Sequence, residues 1–170
     1  MIQKSLAVND KFQQWHVGIG DYKVASAPDT LITLGLGSCV GVSLYDPLRK
    51  VAGLLHVMLP ESTAFNKVTN PAKYADTGLP LLVKALEEAG ALRRRLEAKL
   101  VGGAQMFSGN RNSMLNIGER NVTMVRHLLQ QLGIGIKAQE VGGNVGRTMI
   151  VDTATGIVIV RILGNKTKEI

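Results

Sequence analysis

Residues 31–60 constrain the fold of this 170-residue chain most, because adjoining apolar runs there hold the single cysteine, Cys39, and a histidine, His56. The first run stops at a glycine-rich turn, residues 35–38, and the second starts directly after the thiol. Glycine permits positive φ and close backbone approach, so such a turn can hold a thiol at a strand end, facing a cleft. A third run predicts a strand around His56. If that strand pairs with the one after Cys39, thiol and imidazole can meet.

Two interpretations of this pair stay open on spacing alone. A free cysteine is often a small buried hydrophobe, and a histidine in a buried strand is often a satisfied core residue. A nucleophilic thiol instead needs a nearby imidazole or amide dipoles to become a thiolate near neutral pH. The turn can also aim the backbone N–H groups of Cys39 and Ser38 at an oxyanion, so Ser38 and Gly37 belong to the candidate site.

Composition narrows the class of protein. Hydrophobic residues make up 45% of the chain and aromatic residues only 4%, which predicts a globular domain with a core of Val, Leu, Ile and Ala. No apolar run approaches the roughly 20 residues of a membrane span, and the N-terminus lacks the apolar part of a secretory signal. We therefore expect a cytoplasmic protein without membrane insertion. A lone cysteine forms neither an intramolecular disulfide nor a cysteine metal cluster, and we expect no metal.

The net charge of +7 raises the question of a nucleic-acid partner. Basic residues are scattered except for residues 93–95, and no aromatic residues are interleaved with them for base stacking, so we predict no nucleic-acid binding. The charge could equally favour an acidic protein surface. The glycines at 35–41 lack dinucleotide spacing and those at 142–146 lack a Walker lysine, so we predict no cofactor.

The middle of the chain predicts two long helices. The first starts at the N-cap Asn70 and stops at Gly90, and Pro80 inside it predicts a kink or a division into two shorter helices. The second starts at Asn116, with Glu119 three residues later in a variant of the capping box, and ends at residue 133.

Apolar runs on both sides of the helices predict seven to nine strands, including a hairpin of residues 147–151 and 157–163. Helices in the middle with hairpins at both ends favour an α+β fold over a parallel βαβ sheet. We predict a flexible N-terminal arm at residues 1–14 and a single domain at residues 15–170. The polar tail, residues 164–170, is predicted to fray.

Six motifs, in this order along the chain, resemble the chemoreceptor glutamine deamidase family, CheD. They are LGLGSCV, HVMLP, KYADT, GGAQMF, NIGERN and GGNVGR, and the resemblance covers residues 17–170. It implies stacked mixed β-sheets flanked by two long helices, similar to the toxin-type cysteine deamidase fold. It also implies hydrolysis of selected glutamine side chains, and in some members of methyl esters, on the cytoplasmic helices of chemoreceptors.

The resemblance also implies roles for individual residues. The catalytic cysteine of the family matches Cys39, its histidine matches His56, and its polar third member matches Thr33. Cys39 would form a thioester with the substrate, His56 would move protons, and Thr33 would orient the imidazole. A receptor helix needs an open groove with an apolar rim, and the rim candidates are Phe65, Met106 and Phe107. The alternative is that these three side chains fold back into the core.

Two other functions stay open from the sequence. A thiol protease or transferase would use the same pair of residues, Cys39 and His56. The family also pairs with a chemotaxis phosphatase of the CheC type, so the protein could be mainly a binding regulator of that phosphatase. The intact set of Thr33, Cys39 and His56 argues against a purely structural role.

Overall fold

The computed structural model describes residues 11–106 and 116–170, which form two stacked β-sheets and two α-helices. The elements are β1 (Gln14–His16), β2 (Tyr22–Ser26), β3 (Thr30–Leu36), β4 (Val40–Asp46), β5 (Val51–Val57), α1 (Ala75–Glu88), β6 (Glu97–Gly102), α2 (Ile117–Leu132), β7 (Gly135–Val141), β8 (Arg147–Asp152), β9 (Val158–Ile162) and β10 (Lys166–Glu169). In this part of the chain no helix is long and apolar enough to span a membrane. The strands in the described residues number ten, where seven to nine were predicted.

Both sheets have five strands and mixed pairing. The first has the order β1-β3-β8-β9-β10 and the second the order β2-β5-β4-β6-β7. In the second sheet β4 pairs antiparallel with β5 and β6, whereas β6 and β7 run parallel with α2 as their crossover. The predicted α+β class is confirmed, and it includes this one βαβ unit. The division into an arm and a domain stays a prediction.

Side chains of the second sheet alternate between two cores. Val40, Val42 and Leu44 of β4 pack with the helices in one core. Gly41, between them, faces the first sheet, because a Cβ added there would meet side chains of β3 and β8. His56 of β5 is paired with Gly41 and shares its face. The histidine therefore projects into the space between the two sheets.

The first predicted helix is divided at Tyr74 and not at Pro80. Asn70 caps a short 3-10 turn, Pro71–Lys73, as predicted, but Tyr74 is extended, with φ −108° and ψ 143°. The backbone of Leu59 forms hydrogen bonds of 3.1 and 2.9 Å with the residues on either side of Tyr74. This contact between distant segments interrupts the helix, and α1 then continues through Pro80 to residue 88.

The second helix begins and ends where predicted, but its cap differs. α2 starts after Asn116 and ends at Gly133, whose φ of +69° is a left-handed stop that glycine adopts readily. The Asn116 side chain caps no backbone N–H and donates to the Glu119 carboxylate. The acidic residue of the motif thus binds the cap side chain.

The prediction that the tail frays is wrong. Lys166–Glu169 forms β10, which pairs antiparallel with β9. The connecting turn uses positive φ at Gly164 (98°) and Asn165 (66°), which suits glycine and asparagine. Polar composition indicated exposure correctly, since all four β10 residues are exposed. An edge strand of a hairpin is ordered by backbone pairing and does not need a buried side chain.

The one basic run of the chain forms ion pairs with other parts of the fold. Arg95 lies 2.7 Å from the buried Asp46 carboxylate, and its hydrogen bonds lower the pKa of Asp46 to about 2. Arg93 lies 3.2 Å from Glu87. Asp46 is the last residue of β4, so this network lies at the opposite end of the strand from Cys39.

Candidate active site

Cys39 lies on the turn that carries the chain from β3 in the first sheet to β4 in the second. Gly35 has φ +67°, and the Gly37 N–H donates to its carbonyl at 3.0 Å, which closes a tight turn before the cysteine. Cys39 is a free thiol, half-buried against the core between the sheets. The structure therefore presents the thiol where the two sheets meet.

The segment after β6 holds this turn through its backbone. The Gly103 N–H donates to the Cys39 carbonyl and the Ala104 N–H to the Gly37 carbonyl, both at 2.8 Å. Gly102 has φ +109°, and a side chain there would collide with the Cys39 carbonyl oxygen. The double glycine of the GGAQMF motif thus fixes the position of the nucleophile candidate.

His56 is fully buried and contacts Thr33 across the space between the sheets. Its Nδ1 lies 2.7 Å from Thr33 Oγ1, and the Thr33 hydroxyl donates to the Val17 carbonyl at 2.6 Å. Because a hydroxyl has one proton, it accepts from His56 Nδ1–H while it donates to Val17. The neutral imidazole then carries no proton on Nε2. This nitrogen has no hydrogen-bond partner among the described residues, which leaves its lone pair available as a base.

The β4–β5 register brings Cys39 and His56 to neighbouring positions. His56 pairs with Gly41, and Cys39 precedes Gly41 by two residues. Diagonal positions of this kind are about 7–8 Å apart between Cα atoms, a span that long or aromatic side chains bridge. Gly41 places no side chain between them, and a Cβ there would lie 2.7 Å from Met149 Sδ. Side chains of Met149, Leu36 and Thr33 occupy the space beside Gly41, and the thiol makes no hydrogen bond to His56 Nε2 in this structure.

Burial sets the protonation of both groups. It raises the pKa of the Cys39 thiol, an effect that the residue's own backbone N–H partly opposes. It lowers the pKa of His56 to about 4. At neutral pH the resting pair is therefore a thiol near a neutral imidazole. This arrangement suits removal of the thiol proton by Nε2 as the sulfur attacks, without a preformed ion pair.

The buried neutral histidine predicts a loss of stability in mild acid. Because the pKa of His56 falls from 6.5 to about 4 on folding, the unfolded chain binds the proton first. The contribution of the neutral His56 to the free energy of unfolding is complete above pH 6.5. It declines by about 3 kcal/mol as the pH falls to about 4. We expect the urea midpoint of the wild type to fall over this range, and His56→Asn to remove most of that slope. An unchanged slope in His56→Asn would contradict the buried neutral state.

The predicted oxyanion residues lie on the turn with different backbone partners. The N–H groups of Ser38 and Cys39 donate to no backbone carbonyl in the described part of the chain, whereas the Gly37 N–H is bonded to the Gly35 carbonyl. Two adjacent free N–H groups next to the thiol have the chemistry of an oxyanion hole. The oxyanion role stays a prediction for Ser38, and Gly37 shapes the turn.

Two of the three rim candidates are described, and Phe107 lies outside the described residues. Met106 is 46% exposed, and a Cβ added at Gly37 would lie 3.2 Å from its Cγ, so it contacts the nucleophile turn. Phe65 is 45% exposed and packs on the Tyr74 ring, with centroids 5.3 Å apart. These two side chains do not fold back into the core, and their role in binding stays a prediction.

Sequence reasoning missed Asn121 of α2. This side chain is fully buried, and its Nδ2 donates to the carbonyls of Ser38 and Met58, both at 3.0 Å. Asn121 is the last residue of the NIGERN motif, but only the first part of that motif was interpreted, as a cap. The available indication was an amide next to Val122 on the apolar stripe of an amphipathic helix, where a polar residue needs a partner.

Comparisons with known proteins agree with the motifs. A family model described as CheD chemotactic sensory transduction matches residues 58–162. A Desulforamulus reducens protein named probable chemoreceptor glutamine deamidase CheD is 60% identical over 155 residues, 91% of this chain and 93% of its own length. A Clostridium botulinum (strain Hall) protein of the same name is 50% identical over 91% of this chain and 96% of its own length.

The extent of these matches includes the candidate site. Because each covers 155 of 170 residues, the matched part must contain residues 16–155, and hence Thr33, Cys39 and His56. Among solved structures, a Neisseria meningitidis protein of family DUF152 has a TM-score of 0.50 at 10% identity, with 78% of this chain and 64% of that chain covered. This last likeness concerns the fold alone.

Proposed function

Because this chain belongs to the CheD family, we propose that it hydrolyses glutamine side chains of chemoreceptors to glutamate through Cys39, His56 and Thr33. The observation that carries the proposal is the position of the proton on His56. Thr33 Oγ1 accepts the hydrogen bond from Nδ1–H, so Nε2 is unprotonated and has no partner among the described residues. The relatives named chemoreceptor glutamine deamidase support the choice of reaction and substrate.

The proposed reaction begins when His56 Nε2 takes the thiol proton and Cys39 Sγ bonds to the carbon of the glutamine amide. The oxyanion is stabilised by the N–H groups of Cys39 and Ser38. The imidazolium returns its proton to the amide nitrogen, ammonia leaves, and a thioester remains. His56 then takes a proton from water, the hydroxide attacks the thioester carbon, and Cys39 leaves as a thiolate that regains the proton. Glutamate is the product.

Three finer points belong to the same proposal. A methyl ester would react through the same thioester, with methanol as the leaving group in place of ammonia. Receptor signalling helices lie in the cytoplasm, so the proposal places the protein there. The kinship with toxin-type cysteine deamidases is also proposed, supported by the position of the thiol on a turn between stacked sheets.

Mass spectrometry of a purified cytoplasmic fragment of a receptor tests the function. Each deamidated glutamine should add about 1 Da, because –NH2 is replaced by –OH while the peptide backbone stays intact. A fragment that is cleaved at backbone amides would instead indicate a thiol protease. A fragment that stays unchanged at equimolar enzyme would overturn the proposal.

The second candidate, binding regulation of a CheC-type phosphatase, is favoured by two exposed apolar side chains, Met106 beside the turn and Phe65 on the Tyr74 ring. Such a partner could present a helix of similar shape to the receptor and compete for the same groove. A Cys39→Ala variant separates the two functions. The variant should lose deamidation whichever of the two functions is the main one. It should keep full control of the phosphatase only if binding is the main function.

Replacing Thr33 should reduce activity without abolishing it. Thr33→Ala removes the acceptor of His56 Nδ1–H, so the imidazole loses its orientation but keeps its basic nitrogen. We expect the kcat for deamidation to fall by about tenfold to a hundredfold. Thr33→Ser is the matched control, since it keeps the hydroxyl and should retain most activity. A folded Thr33→Ala as inactive as Cys39→Ala would show that Thr33 does more than orient.

A further inference from the structure

Asn121 joins the two segments that carry the nucleophile and the base. Its Nδ2 donates to the carbonyl of Ser38, which adjoins Cys39, and to the carbonyl of Met58, two residues after His56. Both distances are 3.0 Å, so the two protons of one buried amide set the separation of these backbone segments.

The bridge lies where backbone pairing stops. The β4–β5 ladder ends at the pair Val40 and Val57, so the next position, with Cys39 opposite Met58, has no ladder pairing. The Met58 N–H donates instead to the Lys73 carbonyl. Asn121 therefore supplies, from a side chain, the link that backbone pairing does not supply at the position of the thiol.

This asparagine is not the contact that attaches α2 to the site. Gly118 already packs on the Gly103 backbone, where a Cβ would lie 2.6 Å from the carbonyl oxygen, and Val122 packs on Gly103 from the next turn. The Asn121 Oδ1 is buried and has no partner in the part of the chain that the structure describes. A buried unpaired acceptor costs about 1–3 kcal/mol, a cost that an apolar side chain of similar size avoids.

We propose that Asn121 is a positioning residue that holds the Cys39 turn against the end of the His56 strand and so limits how far the thiol can move from Nε2. The proposal rests on the proposed function for its chemistry. Asn121 contacts backbone carbonyls and acts through Cys39 and His56. Without it, the turn and the strand end can separate, and a small displacement of reacting groups lowers the rate steeply.

Alkylation of Cys39 by iodoacetamide, measured against pH, tests this alignment without a receptor, because Cys39 is the only cysteine. Asn121→Ala should slow alkylation at pH 7 by about tenfold or more and move the profile to higher pH, since loss of the aligned base leaves a thiol whose pKa burial raises. Val125→Ala is the matched control. It creates a cavity one turn further along the same buried face of α2 and should keep the wild-type profile.

The outcomes are separable. A wild-type alkylation profile in Asn121→Ala, or an equal shift in Val125→Ala, would overturn the proposal. Asn121→Leu keeps the volume without the donors and should behave like Asn121→Ala. If neither variant folds, Asn121 is a folding residue and the proposal is wrong.

With receptor, the kcat for deamidation should fall while KM stays the same. A wild type that alkylates as expected but never deamidates would refute the proposed function alone.

Discussion

Replacing Cys39 with alanine should abolish deamidation of the receptor fragment, with turnover reduced by about a thousandfold or more. The expected loss is chemical, because the contacts that fix the turn are made by the Cys39 and Gly37 carbonyls and not by the thiol. Thermal unfolding should therefore stay close to that of the wild type. The measurement is the mass increase of the fragment over time, with variant and wild type at equal concentration.

Cys39→Ser is the more stringent companion to this experiment. It keeps the size of the side chain and a proton for His56 to remove, but a hydroxyl is far less acidic than a thiol. With the pKa of His56 at about 4, the imidazole is a weak base and should not activate the serine. Undiminished turnover in Cys39→Ala would remove the thiol from the mechanism and leave direct attack by water as the alternative.

The local part of the site was predictable from sequence because glycines and apolar runs mark its boundaries. The turn before Cys39 and the strands on either side of it follow from residues 31–57, and the predicted pairing of β4 with the His56 strand, β5, is confirmed. Thr33 came only from the family resemblance. Its position facing His56 depends on the stacking of two sheets. The direction of its hydroxyl proton depends on the carbonyl of Val17, sixteen residues earlier in the chain.

The errors arose where a distant segment decides a local structure. Tyr74 has the sequence context of a helix, but backbone bonds from Leu59 on either side of it hold it extended. β10 is polar and exposed, but β9 offers it a free edge. Asn121 contacts Ser38, which is 83 positions away in the chain, and Met58, which is 63 positions away. Its role therefore follows from how α2 docks. Each case depends on tertiary contacts, which neither composition nor periodicity reports.

Removing the imidazole should damage the enzyme nearly as much as removing the thiol, and far more than Thr33→Ala. His56→Asn is the informative variant, because its amide can still donate to Thr33 Oγ1 while offering no basic nitrogen. We expect deamidation within about tenfold of the Cys39→Ala background.

The two roles of His56, base and buried core residue, give different results in this variant. If it is the base, alkylation of Cys39 in a folded His56→Asn protein should shift to higher pH, because no group then takes the thiol proton during attack and burial raises the thiol pKa. If it is only a core residue, His56→Asn should lower the unfolding temperature while the folded fraction deamidates and alkylates normally. That second result would reassign the 2.7 Å contact with Thr33 to packing between the sheets and would leave Cys39 without its proton acceptor.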